Sequence, residues 1–425
     1  MTQPTQPNRV FSLDWNIVAG WASRVVVVLL SFVNTRLLIE QMGAEGLAAF
    51  TIILSLASWL ALLNLGLPIT VQNKIARLRG HQIDHYPARN RAFGSMLIIA
   101  LAMSPIVVFV GWLSHYYFLS NYTFVSASAV IGASLFLYIS GQCQLLTQVM
   151  YAEQKALLPN IYPAFASIWT TAALLVTQSQ NIEEFNQLII ILSISNLLMP
   201  IHASLKLGVF RYAKFKIGSA IHLILVSRHQ LLFAAFSSAT LAIDYAVMSR
   251  TLEATGIVQY NLTSRLFTVV LLLHGVMIST NWSPLAELLH ASKLQEAKRM
   301  LEQLLKKGLL LGGLFGVLIM VTMQPIIQLW TGGKVDGVPF ILGIGWFLYI
   351  IVRIWTDTYS MALLAFDKAK DLNRYIPFQA AISVTAQLML ASHYGAAGVV
   401  LGLITSFLLT ASWILPVKFY KLVKE

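Results

Sequence analysis

Residues 92–152 read AFGSMLIIALAMSPIVVFVGWLSHYYFLSNYTFVSASAVIGASLFLYISGQCQLLTQVMYA, without one Asp, Glu, Lys or Arg. A helix needs about 20 mostly apolar residues to cross a bilayer. This run therefore holds two crossings joined by a short turn. Other charge-free runs cover 46–73, 156–182, 185–205, 266–286, 308–333 and 375–417, the last again long enough for two. Adding the arginine-containing segments 15–39, 229–252 and 339–366 brings the expected number of spans to about twelve. The expected fold class is an all-α integral membrane protein, with these helices in two six-helix bundles.

The basic residues set the orientation. Of 29 Lys and Arg, 23 fall on alternate loops and termini that share one side, and Lys334 alone falls on the other. Such loops face the cytoplasm, so both termini are expected there. The net charge of +12 then matches an anionic membrane surface, and no nucleic-acid partner is expected. Charged residues are 11% of the chain, against about 25% in soluble domains, and the mean hydropathy is +0.72. Cys143 is the single cysteine, which rules out a disulfide framework and a cysteine metal site. The first apolar segment is too long for a signal-peptide core and carries Arg24, so it is read as a retained span. The outer loops are all short, at about 37–46, 115–123, 178–184, 252–256, 331–338 and 393–397.

A basic linker at 206–228, with Lys206, Arg211, Lys214, Lys216 and Arg228, divides the chain into bundles at 1–205 and 229–425. Both begin on the same side, so any repeat is parallel, as in several transporter folds. Arg36, Met42-Gly43 and Phe50 in the first half are echoed by Arg250, Thr255-Gly256 and Tyr260 in the second. Two such bundles leave a cavity between them, where intramembrane charge can be hydrated or paired. Pro68, in Asn64-Leu-Gly-Leu-Pro68, predicts a kink in the second span. Ser283 as N-cap and Pro284 at the first position predict an amphipathic surface helix running to Leu305.

Enzymatic signs are absent. The chain has no Gly-x-x-x-x-Gly-Lys-Ser/Thr loop for ATP, no His-Glu-x-x-His motif and no nucleophile beside a base. His202 and His274 lie in spans without ligand partners at helical spacing, and are read as packing residues. No cofactor, no metal and no enzymatic activity are expected.

What needs a reason is charge inside the membrane, because each such residue costs about 2.5–3.5 kcal/mol on insertion scales. Arg24, Arg36, Arg250, Arg265 and Arg353 lie in or at the ends of spans, with Asp244 and Asp357. Arg353 and Asp357 are four apart and share a helix face. Asp244 lies at a depth that suits pairing with Arg265. Arg24 has no acidic partner in its own span and sits about 14 Å in from Trp15. Five cations against two anions make a cavity for an anionic substrate, and guanidinium forks suit phosphate oxygens. The five arginines are the candidate substrate-binding residues. Asp244 and Asp357 are the candidates for ion coupling.

Arg36-Leu-Leu-Ile-Glu-Gln-Met-Gly-Ala-Glu-Gly-Leu-Ala-Ala-Phe50, Leu63-Asn-Leu-Gly-Leu-Pro-Ile-Thr70 and Asn73-Lys-Ile-Ala-Arg77 resemble the N-terminal signature of Wzx-type polysaccharide flippases. Gly256-Ile-Val-Gln-Tyr260, Ser264-Arg-Leu-Phe267 and Trp282-Ser-Pro-Leu-Ala-Glu287 are similar to the start of their second half. The superfamily also includes the multidrug-and-toxin (MATE) exporters. The resemblance implies a V-shaped, MATE-like transporter with a cationic cavity. It would move an undecaprenyl-pyrophosphate-linked oligosaccharide, O-antigen or a related glycan, across a bacterial inner membrane. Its partners would be that lipid-linked oligosaccharide, membrane lipids and other polysaccharide assembly proteins. Two alternatives stay open at this point. A MATE-like cation antiporter would favour interior carboxylates, and an O-antigen polymerase would need a large outer loop.

Overall fold

The computed structural model describes residues 15–120, 122–179, 184–252, 254–331 and 337–424. Sixteen α-helices follow one another among them, and no strand. They are α1 (Trp15–Ala61), α2 (Leu67–Gly80), α3 (Tyr86–Ser114), α4 (Ala127–Gln142), α5 (Gln144–Ala152), α6 (Leu157–Ser179), α7 (Phe185–Ser195) and α8 (Leu198–Leu207). Then come α9 (Val209–Tyr212), α10 (Ile217–Thr251), α11 (Ala254–His290), α12 (Leu294–Thr331), α13 (Phe340–Ala365), α14 (Ala369–Leu372), α15 (Ile376–Leu409) and α16 (Ala411–Lys424).

Many outward side chains are large and apolar. Leu101 on α3 is 77% exposed and Leu329 on α12 is 87% exposed. Such surfaces are solvated by lipid, not water. The buried apolar side chains form one cluster around Phe267, Ile350 and Val400, two others around Leu60 and Leu188 and around Ile75 and Phe93, and a small fourth of Ala76, Ala286 and Ala365. Among the described residues, eight helical segments are long and apolar enough to cross a membrane, or nine if the bent pair 52–64 and 67–80 counts as one span. The expected twelve would further need the shorter apolar helix Trp15–Ser31, α6, and two arms in the 55-residue segment Ala369–Val423. Those arms meet at Gly395, whose φ of 57° breaks the helical backbone within the turn expected at 393–397.

The kink expected near Pro68 is present. Asn64 Oδ1 accepts the amide of Gly66 at 3.0 Å, Leu65 and Gly66 take positive φ, and the helices on either side bend by 48°. Two expectations are corrected. Helical structure continues through residues 37–46, where a loop was expected; no proline there removes a backbone donor. Ser283 caps no helix either. Residues 283–290 continue α11 with Pro284 inside it, and the chain breaks instead at Ser292, with φ of 59°. The next helix begins at Leu294 and runs on into the apolar segment.

Candidate functional site: a zipped end and two cations beyond it

The two halves of the chain meet at the end that carries the basic loops. There α2 and α11 approach so closely that a Cβ on Gly80 would lie 2.7 Å from the carbonyl oxygen of Glu287. Arg79 Nε donates to Glu287 Oε1 at 2.8 Å, and Gln154 Nε2 donates to Glu287 Oε2 at 2.8 Å. Deeper in, Gln72 Nε2 donates to Ser283 Oγ at 2.9 Å. Asn73 is fully buried. Its amide nitrogen donates to Leu364 O at 2.6 Å and Asp367 Oδ1 at 2.9 Å, while its oxygen accepts from Trp282 Nε1 at 2.8 Å.

Farther from that end, Asn160 Nδ2 on α6 joins Asn16 O (2.7 Å) and Thr280 Oγ1 (3.1 Å). A Cβ on Gly20 would lie 2.3 Å from Val276 Cγ1, so α1 and α11 touch there through the glycine. Trp21 Nε1 donates to Leu273 O at 3.0 Å. These contacts put α1 and α11 antiparallel, and they form a floor.

Arg24 is one turn beyond the floor on the same face of α1. It is half-buried, and its Nε has no hydrogen-bond partner among the described residues. Arg265 lies eleven residues before Val276 on α11, a rotation that returns to nearly the same helix face. It is exposed, with no ion pair among the described residues. By the antiparallel register it stands about six residues, or ~9 Å, farther out than Arg24. Arg24 and Arg265 thus lie on the same side of these contacts, and neither makes an ion pair among the described residues.

Among the described residues, no ion pair joins Arg265 to Asp244, where one was expected. Asp244 is buried and accepts the hydroxyl of Tyr260 at 2.7 Å. Arg265, five residues after Tyr260, points about 140° away around the helix. Arg353 and Asp357 do pair, through Nη2–Oδ2 at 2.8 Å and two Nε contacts of 3.2 Å, while Nη1 donates to Tyr349 Oη at 2.9 Å. They line a cavity of about 290 Å³ between α10, α13 and α15, with Thr240, Ser360 and Gln379. The side chains of Arg36 and Arg250 lie outside the described residues. His274 and His202 bond to Thr358 (3.2 Å) and Tyr162 (3.0 Å), and no metal-binding cluster occurs among the described residues.

A second polar cluster holds the loop after α5. Glu153 accepts from Arg89 Nη1 at 2.9 Å and from Lys155 Nζ at 2.7 Å, with His85 Nε2 at 3.7 Å. Burial alone would raise the Glu153 pKa, but the bonds from Lys155 and Arg89 hold it below the usual carboxylate range. Burial lowers the pKa of His85 and outweighs the pull of Glu153.

A reading that weighs only charges passes over Gln72, Asn73, Asn160 and Thr280. Their signal in the sequence is amides inside otherwise apolar helices, which must find partners in the folded protein.

No protein-family model matches the chain. A Yersinia pseudotuberculosis protein provisionally named an O-antigen export protein is 28% identical over 94% of each chain. A Salmonella typhi protein provisionally named an O-antigen transporter is 26% identical over 94% of each. Among solved structures, a MATE protein in complex with MaD3S superposes with a TM-score of 0.80 at 12% identity, over 96% of both chains. A MOP-superfamily transporter from Pyrococcus furiosus, described as having a binding pocket of reversed polarity, gives 0.78 at 12% over 96% of both. The fold is that of these transporters, and its apolar helices are those of a multi-pass membrane protein.

Proposed function

We propose that this chain, folded as a MATE-type transporter and related to proteins named for O-antigen export, exports a surface polysaccharide as its lipid-linked repeat unit. The substrate is an undecaprenyl-pyrophosphate oligosaccharide, passed from the inner to the outer leaflet by alternating access. Supporting this reading above all are Arg24 on α1 and Arg265 on α11, neither of which has an ion pair among the described residues. A diphosphate entering the cleft loses hydration, and forked donors in a low-dielectric site replace part of it. Two spread cations hold the headgroup without clamping it, so that it can leave.

The contacts of Asn73, Arg79, Gln72 and Asn160 are the inner gate, closed in this conformation. The gate opens to admit substrate from the cytoplasmic leaflet, and closes behind it as the cleft opens outward. Interior carboxylates, which a cation antiporter would present to its cargo, are here engaged by Arg353 and Tyr260. Asp357, which lines the inner cavity of the second half, is the better placed of the two candidates to carry a coupling proton.

Removing the protein from its host should abolish surface glycan and trap lipid-linked oligosaccharide in the cytoplasmic leaflet. Unchanged surface glycan with no trapped intermediate would overturn the reading.

A further inference from the structure

Away from the cleft, a second cavity of about 350 Å³ opens at the basic end, between α2, α3 and the start of α10. Lys74, Arg91, Lys216 and His222 line it, and no carboxylate does. Arg91 Nε bonds only the carbonyl of Pro87, at 3.1 Å. Lys74 and Lys216 have no ion pair or side-chain hydrogen bond among the described residues. The cations are held together by the backbone: the amide of Lys214 donates to Asn90 O at 3.0 Å, which pins the segment before α10 against α3. Like charges gathered round one cavity repel, and no carboxylate among the described residues lines it.

The rest of the wall is apolar, from Val71, Ile75 and Leu223. Along the outer surface of α10, Ile217, Ile221 and Leu225 form an i, i+4, i+8 stripe, 68%, 54% and 57% exposed. An anion-seeking pocket beside an exposed apolar stripe on the neighbouring face of the same helix fits a molecule with a charged head and a hydrocarbon tail. Basic pockets between helices on the cytoplasmic side are suited to phosphate headgroups.

We propose that this pocket binds the phosphate headgroup of an anionic phospholipid, with an acyl chain lying along Ile217, Ile221 and Leu225. The lipid joins α2 and α3 to the first long helix of the second half. This site is separate from the transport cleft and does not rest on the identity of the transported substrate.

The test is native mass spectrometry of the full-length protein, delipidated and then given phosphatidylglycerol, phosphatidylethanolamine or inorganic phosphate. The wild type should retain phosphatidylglycerol in preference to phosphatidylethanolamine, and inorganic phosphate should not displace it. Lys74→Gln with Arg91→Gln and Lys216→Gln should reduce retained phosphatidylglycerol by about tenfold or more. Lys206→Gln with Arg211→Gln, basic changes outside the pocket, should not. Single Arg91→Gln and Lys216→Gln variants, each giving a partial loss, cover the case in which the triple variant does not fold. Equal retention of the two lipids, displacement by free phosphate, or unchanged retention in the single and triple variants would each overturn the proposal.

Discussion

Asn73 accepts the indole N–H of Trp282 at 2.8 Å across 209 positions of sequence, which leaves both its amide hydrogens for Leu364 O and Asp367 Oδ1. All the capacity of its NH₂ group is used, and the side chain is fully buried. A single residue of α2 is thereby tied to α11, α13 and the loop that follows α13.

Replacing Asn73 by Leu should loosen this end. Buried partners left unsatisfied cost about 1–3 kcal/mol each, enough to shift a two-state equilibrium by about tenfold or more. In a Cys143→Ser background, a cysteine in place of the buried Thr280 reports the change. Its labelling by a thiol reagent should rise by about tenfold when Asn73→Leu is added. Unaltered labelling would mean that Asn73 does not hold the gate.

Arg24→Ala should lower flipping in proteoliposomes by about tenfold or more, since a hydrogen bond to a charged group contributes about 1.5–3 kcal/mol. Arg24→Lys keeps the charge but loses the planar fork, and should fall between wild type and Ala. Rates are compared at equal amounts of protein in the membrane. Wild-type flipping by Arg24→Ala would remove the headgroup role.

Arg353 and Asp357 should behave as a coupled pair. Fully buried pairs cost about 3–5 kcal/mol to break by removing one partner, and partial exposure of Asp357 brings this down to roughly 2 kcal/mol. Arg353→Met or Asp357→Leu alone should lower the melting temperature, and the two together should lower it less than the sum of the single effects. Additive losses would show that the contact contributes nothing of its own.

Acid should destabilise the loop between α2 and α3. The lowered pKa of His85 means that the unfolded chain takes up a proton more readily, so stability is lost as pH falls below about 6.5. Glu153, also held low, loses its contribution in the same direction but only below about 4.5. The groups around His85 are Glu153, Asp84, Arg79 and Arg89. Thermal melts between pH 7.5 and 5.5 should therefore show a decline that His85→Gln makes smaller. An equal decline in that variant would assign the effect to another group.

The kink at Pro68 and the turn near Gly395 were legible because proline and glycine act locally, whatever packs around them. Arg353 and Asp357 were legible as a pair because four residues on a helix fix their separation. Arg265 and Asp244 were not. Depth along the membrane can be counted in sequence, but the angle around each helix depends on how the helices pack, and Tyr260 took the place that depth alone had offered to Arg265.

The amino-acid sequence by itself determined that the chain is a helical membrane protein, because burial cost and backbone satisfaction act on every residue separately. Tertiary structure alone decided that the basic end is shut by the amides of Gln72 and Asn73 together with the Arg79–Glu287 pair. Hydrogen bonds of Asn73 and Asn160 reach partners more than a hundred residues away, and no local pattern carries that distance.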